Sequence, residues 1–171
     1  MEDAQHLGLP MTTKSTTDAR QNADATRRTY VTAAMRVRLH QRKRAFREQV
    51  LEAYQRQCAF RRLRHEELID AAHIIPDTEP GGEPLVRNGL SLRTLHHGAF
   101  DRYFIGLRPD FTIEVREDLR RERDGPTLVH AIQALHDSRI VLPRKLEYRP
   151  ARDLLEIRYE RFRQAAHRGA E

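Results

Sequence analysis

Five side chains between positions 70 and 101 are of the types that hydrolytic chemistry uses: Asp70, His73, Asn88, His97 and Asp101. A neutral imidazole, with an ordinary pKa near 6.5, takes a proton from water readily at neutral pH, and His73 is the candidate base. His97 and Asp101 stand four positions apart, so on a helix they share one face and offer a cation one nitrogen and one oxygen donor. That pair suits one divalent ion, Mg²⁺ first and Mn²⁺, Ni²⁺ or Zn²⁺ as alternatives, with positions left open for water and substrate. Asn88 does not titrate; its amide can hydrogen-bond loop backbone and hold the His73 strand in register with the helix, so it orients. Asp70 is the nearest upstream carboxylate. In an ideal strand it points to the face opposite His73, so sharing the site requires a bulge or an irregular end, and a structural salt bridge or turn is its other reading. A base beside a cation is what metal-assisted hydrolysis of a phosphodiester needs.

The charge balance agrees with such a substrate. Lys and Arg total 31 against 25 acids, a formal net charge of +6, which favours a polyanion over an acidic metabolite. From Arg27 to Arg47 the chain carries Arg27, Arg28, Arg36, Arg38, Arg42, Lys43, Arg44 and Arg47 and no acid. Arg42, Lys43, Arg44, Arg93 and Arg102 are the candidate contacts to phosphates; the alternative for the basic run is a solvated helix face. Length bounds the rest, because 171 residues make about one domain by the usual prior of roughly 100–200. Apolar residues are 39% and charged ones 33%, so a modest core under an ionic surface is expected. Cys58 is the sole cysteine, which excludes an internal disulfide and a four-cysteine zinc site, and its helical spacing from Phe46, Val50 and Tyr54 marks it as a packing residue. The polar start of the chain has no apolar run, so no membrane span is expected and the expected location is the cytoplasm.

The elements that must position these groups follow from periodicity and turn signals. Residues 1–28 have the composition of a poorly ordered tail, and residues 29–171 form one domain with a basic helical segment at its start. Arg42 to Gln57 reads as an amphipathic helix. Glu67 to Ile75, ending at Pro76 and preceded by the polar turn Arg61 to Glu66, suggests two short antiparallel strands with His73 near the end of the second. Asp77 to Arg87, with Pro80, Gly81, Gly82 and Pro84, is loop, and Ser91 or Thr94 caps the helix that carries Leu95, His97 and Asp101. Arg102–Leu107 and Phe111–Arg116, split by Pro109-Asp110, form a second hairpin. Asp124-Gly125-Pro126 marks a turn and Leu128–Leu135 a short helix. A closing helix runs from about Ala151 to Ala165 with Leu155, Tyr159 and Phe162 inward. His96 is expected beside the site, as a phosphate contact or a surface residue.

The run Asp70-Ala71-Ala72-His73-Ile74-Ile75-Pro76, then Asn88-Gly89-Leu90, then Leu95-His96-His97-Gly98-Ala99-Phe100-Asp101 resembles the HNH endonucleases, the ββα-metal nucleases, and in particular their restriction-endonuclease branch. The resemblance covers about Arg36 to Ala166 and is specific in the centre. It implies an α+β protein, a ββα-metal core flanked by an N-terminal helix, a second β-hairpin and a C-terminal helix. It implies His73 as general base, Asn88 as orienting residue and His97 rather than His96 as metal ligand. Such nucleases carry a metal-binding Asp or His directly before the first His; here Ala72 stands there, and Asp70 is the carboxylate that can complete the site. Some relatives carry a Cys-x-x-Cys pair where this chain has Cys58-Ala59-Phe60-Arg61, so a zinc-stapled version is excluded. The implied activity is metal-dependent DNA cleavage, of restriction or defence type, with sequence specificity left to loops, to dimerisation or to a partner protein. The alternatives are a catalytically degenerate module that binds nucleic acid through its basic surface, and a structural metal site.

Overall fold

A computed structural model describes residues 15–123 and 125–168. They divide into two units, with the division between Gln41 and Arg42. Helix α1 covers Ser15–Ala53. In the first unit the described side chains, 31, 32 and 34–41, are all exposed. Fourteen residues of the expected tail, 15–28, are helical, and the first fourteen lie outside the described residues. The physical reason is the absence of any Gly or Pro from Ser15 to Ala53, together with many Ala, Arg and Gln, which carry small helix penalties.

In the second unit the order is the last turns of α1, β1 (Ile69–His73), β2 (Gly89–Arg93), α2 (Thr94–Asp101), β3 (Ile105–Leu107), β4 (Ile113–Val115), α3 (Glu117–Arg121), α4 (Pro126–Ala131) and α5 (Arg152–Arg168). Phe46, Val50 and Tyr54 are buried at the expected helical spacing, and Cys58 is fully buried beside them. The helix stops four residues short of the expected Gln57, because Gln55 and Arg56 adopt left-handed backbone conformations that no helix can continue.

β1 and β2 form an antiparallel ladder, with Ile69 opposite Arg93 and His73 opposite Gly89. This corrects the expected pairing. The partner of the His73 strand is the segment across the Gly/Pro loop, read from sequence as the approach to the helix, and not the chain before Arg61. Ala59 instead lies along the far edge of β2, its N–H donating to Ser91 O at 2.7 Å. Neither expected residue caps α2: Ser91 sits within β2 and donates to Gln57 O at 2.9 Å, while Thr94 is the first helical residue. β3 and β4 make the second hairpin, Ile105 opposite Val115. The expected helix at Leu128–Leu135 is α4 followed by a 3₁₀ turn at Gln133–Leu135. Asp124 of the expected turn lies outside the described residues, and Pro126 opens α4 where its missing N–H costs nothing.

Side-chain alternation assigns the two faces of the first ladder. Ile69, Ala71, His73, Gly89 and Ser91 face α1, and Asp70, Ala72, Leu90 and Leu92 face α2. Close approach enforces the first assignment: a Cβ on Gly89 would stand 2.4 Å from Val50 Cγ2 and 3.0 Å from Phe46 Cζ. Gly106 does the same for the second hairpin, where a Cβ would stand 2.6 Å from the Phe162 ring of α5. The α+β architecture is as expected. No described helix is long and apolar enough to cross a membrane.

Candidate active site

α2 begins directly after β2, so its first two turns lie over the face of the ladder that Asp70 occupies. His97 is on the side of α2 that meets this face. Its Nδ1 is 3.7 Å from Asp70 Oδ2 and its Nε2 is 3.2 Å from Asp101 Oδ2. One imidazole thus stands between two carboxylates. Asp70 reaches His97 with the ladder unbroken from Ile69 to His73, so no bulge is needed; helix packing brings α2 to the carboxylate's own face. Arg47 secures this corner from α1, donating to Glu66 O at 3.1 Å and to Ile69 O at 2.9 Å, with its Nε 3.5 Å from Asp70 Oδ1.

The titration behaviour follows from these neighbours. The hydrogen bond to Asp101 raises the His97 pKa, against burial and with help from the charges of Asp101 and Asp70. Burial alone would raise the Asp101 pKa, but the His97 hydrogen bond and the charges of His97, Arg158 and Arg102 hold it below the usual carboxylate value. Among the described residues no three His, Cys, Asp or Glu side chains are arranged so that together they could hold a metal ion. Asp70 and Asp101 instead flank different nitrogens of the His97 ring, Nδ1 and Nε2. By type these residues fit a divalent ion, since one imidazole and two carboxylates are a mixed N and O donor set.

His73 ends β1 on the opposite face. Its ring stacks on Phe46, centroids 4.0 Å apart at 18°. Nε2 is sealed from solvent and has no hydrogen-bond partner. Burial lowers its pKa first, Asp77 opposes, Lys43 and His97 lower it further, and Asp101 opposes. His73 therefore lies within electrostatic reach of both His97 and Asp101 and stays neutral at neutral pH. Among the described residues it makes no hydrogen bond or ion pair with either, and the ion pairs of His97 go to Asp70 and Asp101.

Asn88 is 1% exposed and fastens the chain leaving β1. Its Oδ1 accepts from Ile75 N at 2.9 Å, and its Nδ2 donates to Ile75 O at 3.0 Å and to Glu83 O at 3.1 Å. Only this amide orientation satisfies all three partners. It is a positioning residue.

His96 is corrected by the structure. It is fully buried, tilted against Phe60, with Nδ1 3.5 Å from Cys58 Sγ and Nε2 2.9 Å from Ala131 O. Adjacent helical residues point about 100° apart, so His97 facing the site puts His96 in the core. Burial pushes its pKa down to about 4, with the Ala131 hydrogen bond opposing and Arg93 and Arg61 contributing. The sign follows: the folded chain binds this proton more weakly than the unfolded chain, so the stability is whole above pH 6.5 and drains away toward pH 4. The loss is about 3 kcal/mol, from about 1.4 kcal/mol per pKa unit. Denaturant midpoints at pH 7.5, 5.5 and 4 should fall accordingly, and a flat midpoint down to pH 4.5 would refute it.

The expected phosphate contacts are placed differently from one another. Arg42, Lys43 and Arg44 are exposed on α1. Arg102 is exposed at the end of α2, donating to Gly98 O at 3.2 Å. Arg93 turns inward, its Nε 3.1 Å from His96 Nε2.

Arg158 of α5 was not singled out from sequence. It is 4% exposed, stacks over Phe100 at 4.6 Å and Tyr103 at 4.2 Å, and donates to Phe100 O, in the last turn of α2, at 2.7 Å. Its charge acts on Asp101. The available signal was its place on the inward stripe of α5, three residues after Leu155 and four before Phe162.

A two-stranded antiparallel ladder followed at once by a helix, with a histidine ending the first strand and an imidazole–carboxylate cluster on the helix, is the ββα arrangement expected from the sequence. Residues 58–108 match the model of the HNH endonuclease family. The matched segment spans β1, β2, α2 and β3 and ends before α3. No curated protein shows a significant match to the chain.

Proposed function

We propose that this chain is a metal-dependent DNA endonuclease, with residues 29–171 as the nuclease domain and one divalent cation, Mg²⁺ first, at Asp70, His97 and Asp101. The observation that carries the reading is the imidazole of His97 set between two carboxylates, with a second, neutral imidazole in electrostatic reach. When bound, the cation neutralises charge that builds on the phosphate and stabilises the departing oxygen. His73 takes the proton from the attacking water. With Nε2 sealed, that transfer runs through Nδ1, and the low pKa keeps this nitrogen free to accept. Asn88 keeps the strand that carries His73 from shifting, and Phe46 fixes the ring plane. Arg42, Lys43, Arg44 and Arg102 draw the strand in, with Lys43 near enough to act on His73. Restriction-type defence in the cytoplasm is the role we attach to this activity, with a partner or a second copy supplying sequence choice.

The test is supercoiled plasmid incubated with the pure chain in Mg²⁺, Mn²⁺, Ni²⁺ or Zn²⁺ and with chelator. Nicking or linearisation in at least one ion, stopped by chelator while the melting curve keeps its shape, is expected. Absence of cutting in all four ions defeats the enzyme reading, and salt-sensitive binding in its place would identify a nucleic-acid-binding module. Unfolding on chelation would identify a structural metal.

A further inference from the structure

A pocket of about 280 Å³ opens where the end of α1 meets the loop after Cys58 and the segment from Val141 to Arg144. Arg62, Arg64 and Arg144 line it, and no carboxylate does. Nearby arginines are neutralised: Arg56, in the adjoining turn, is paired with Glu48 and Glu66, and Arg47 with Glu66 and Asp70. Among the described residues Arg62, Arg64 and Arg144 make no ion pair. Three like charges gathered round one concavity repel unless an anion lies between them.

The inner wall is also short of a partner. Gln57 is 8% exposed, lines the pocket, and its Oε1 is buried with no hydrogen bond. The backbone around the pocket is held in an unfavourable state, since Gln55 and Arg62, both lining it, have φ of 56° and 51°. Such conformations gather where a fold presents groups to a ligand.

The three arginines are exposed at the mouth. An open mouth suits a polymer that passes through, where an enclosed one would suit a metabolite. The place in the fold agrees: Val141 N donates to Ala59 O at 2.8 Å and Ala59 N to Ser91 O at 2.7 Å, which puts the pocket on the edge of β2 away from β1 and His73. We propose that this pocket seats a backbone phosphate of the nucleic acid being cut, distant from the scissile bond. The proposal rests on the nuclease reading and adds a contact to it.

Duplex binding to the full chain, followed by fluorescence anisotropy in chelator from 50 to 300 mM salt, tests it. The variant R62Q/R64Q/R144Q should bind about ten-fold more weakly and show a slope of log K against log salt shallower by about 1, the value for one lost phosphate contact. Its single-turnover cleavage rate at saturating duplex should equal that of the unaltered chain. Inorganic phosphate at constant ionic strength should compete with duplex on the unaltered chain and not on the variant. Unchanged affinity and slope in a chain that still cuts would overturn the proposal alone. A chain that neither binds nor cuts would overturn it together with the nuclease reading. Should the triple variant not fold, R144Q by itself, at an exposed position, must still weaken binding; unaltered binding by R144Q then counts against the pocket.

Discussion

His73→Ala should cut plasmid about 10²–10⁴-fold more slowly than the unaltered chain, the usual contribution of a positioned base, while its melting temperature moves by only a few degrees. The small stability effect follows from two opposed terms. Losing the stack on Phe46 costs about 0.5–1.5 kcal/mol. Losing a sealed, unpartnered Nε2 recovers a comparable amount, about 1–3 kcal/mol. The pH profile of the unaltered chain carries the same signature. Protonated His73 cannot accept a proton, so the rate falls as pH drops through its pKa; burial has lowered that pKa, so the acid limb should lie below 6.5. His97→Ala should lose cleavage as well and, unlike His73→Ala, should lose Mn²⁺ binding measured directly by titration. Single-turnover nicking decides the matter, and wild-type rates in His73→Ala would remove that residue from the chemistry.

Asn88→Ala should act mainly on stability. The substitution strips a buried side chain of three hydrogen bonds and leaves Ile75 N, Ile75 O and Glu83 O to be satisfied elsewhere. At about 1–3 kcal/mol for each buried group left unpaired, partly relieved by local shifts, a loss of roughly 3 kcal/mol is expected. Asn88→Asp should be no better, because a carboxylate retains the acceptor toward Ile75 N but faces two carbonyl oxygens with no proton to offer. Cleavage should fall in both through the loosened exit of β1. Chemical denaturation measures the effect, and a change under 1 kcal/mol in Asn88→Ala would show that the loop is held without this clamp.

Where local pattern decides structure, the sequence was a good guide. Phe46, Val50 and Tyr54 at helical spacing marked α1, the Pro109-Asp110 break marked the second hairpin, and the four-residue step from His97 to Asp101 marked a shared face. Tertiary choices were less legible. The partner of β1 is chosen by which segment can bury both faces, and Gly89–Arg93 does so only because Gly89 admits Phe46 and Val50. Two adjacent histidines cannot both face the site; Phe100, four residues beyond His96 and fully buried, was the clue that His96 belongs to the core. Alternation correctly put Asp70 and His73 on opposite faces, but the inference that this separates Asp70 from the cluster assumed that the helix would pack on the side of His73. Arg158 was masked by its charge, which reads as surface until Phe100, Tyr103 and a helix carbonyl are seen around it.

The grip of Arg158 on the end of α2 has a bearing on the order in which the molecule is completed. The strands and the helix that hold His73, His97 and Asp101 leave the ribosome more than fifty residues before their fastening does. Until the final helix docks, the turn bearing Asp101 lacks its clasp. Transplanting residues 58–108 into another scaffold would therefore leave Phe100 O without its donor and Asp101 without this neighbouring charge, so the distant arginine has to come along.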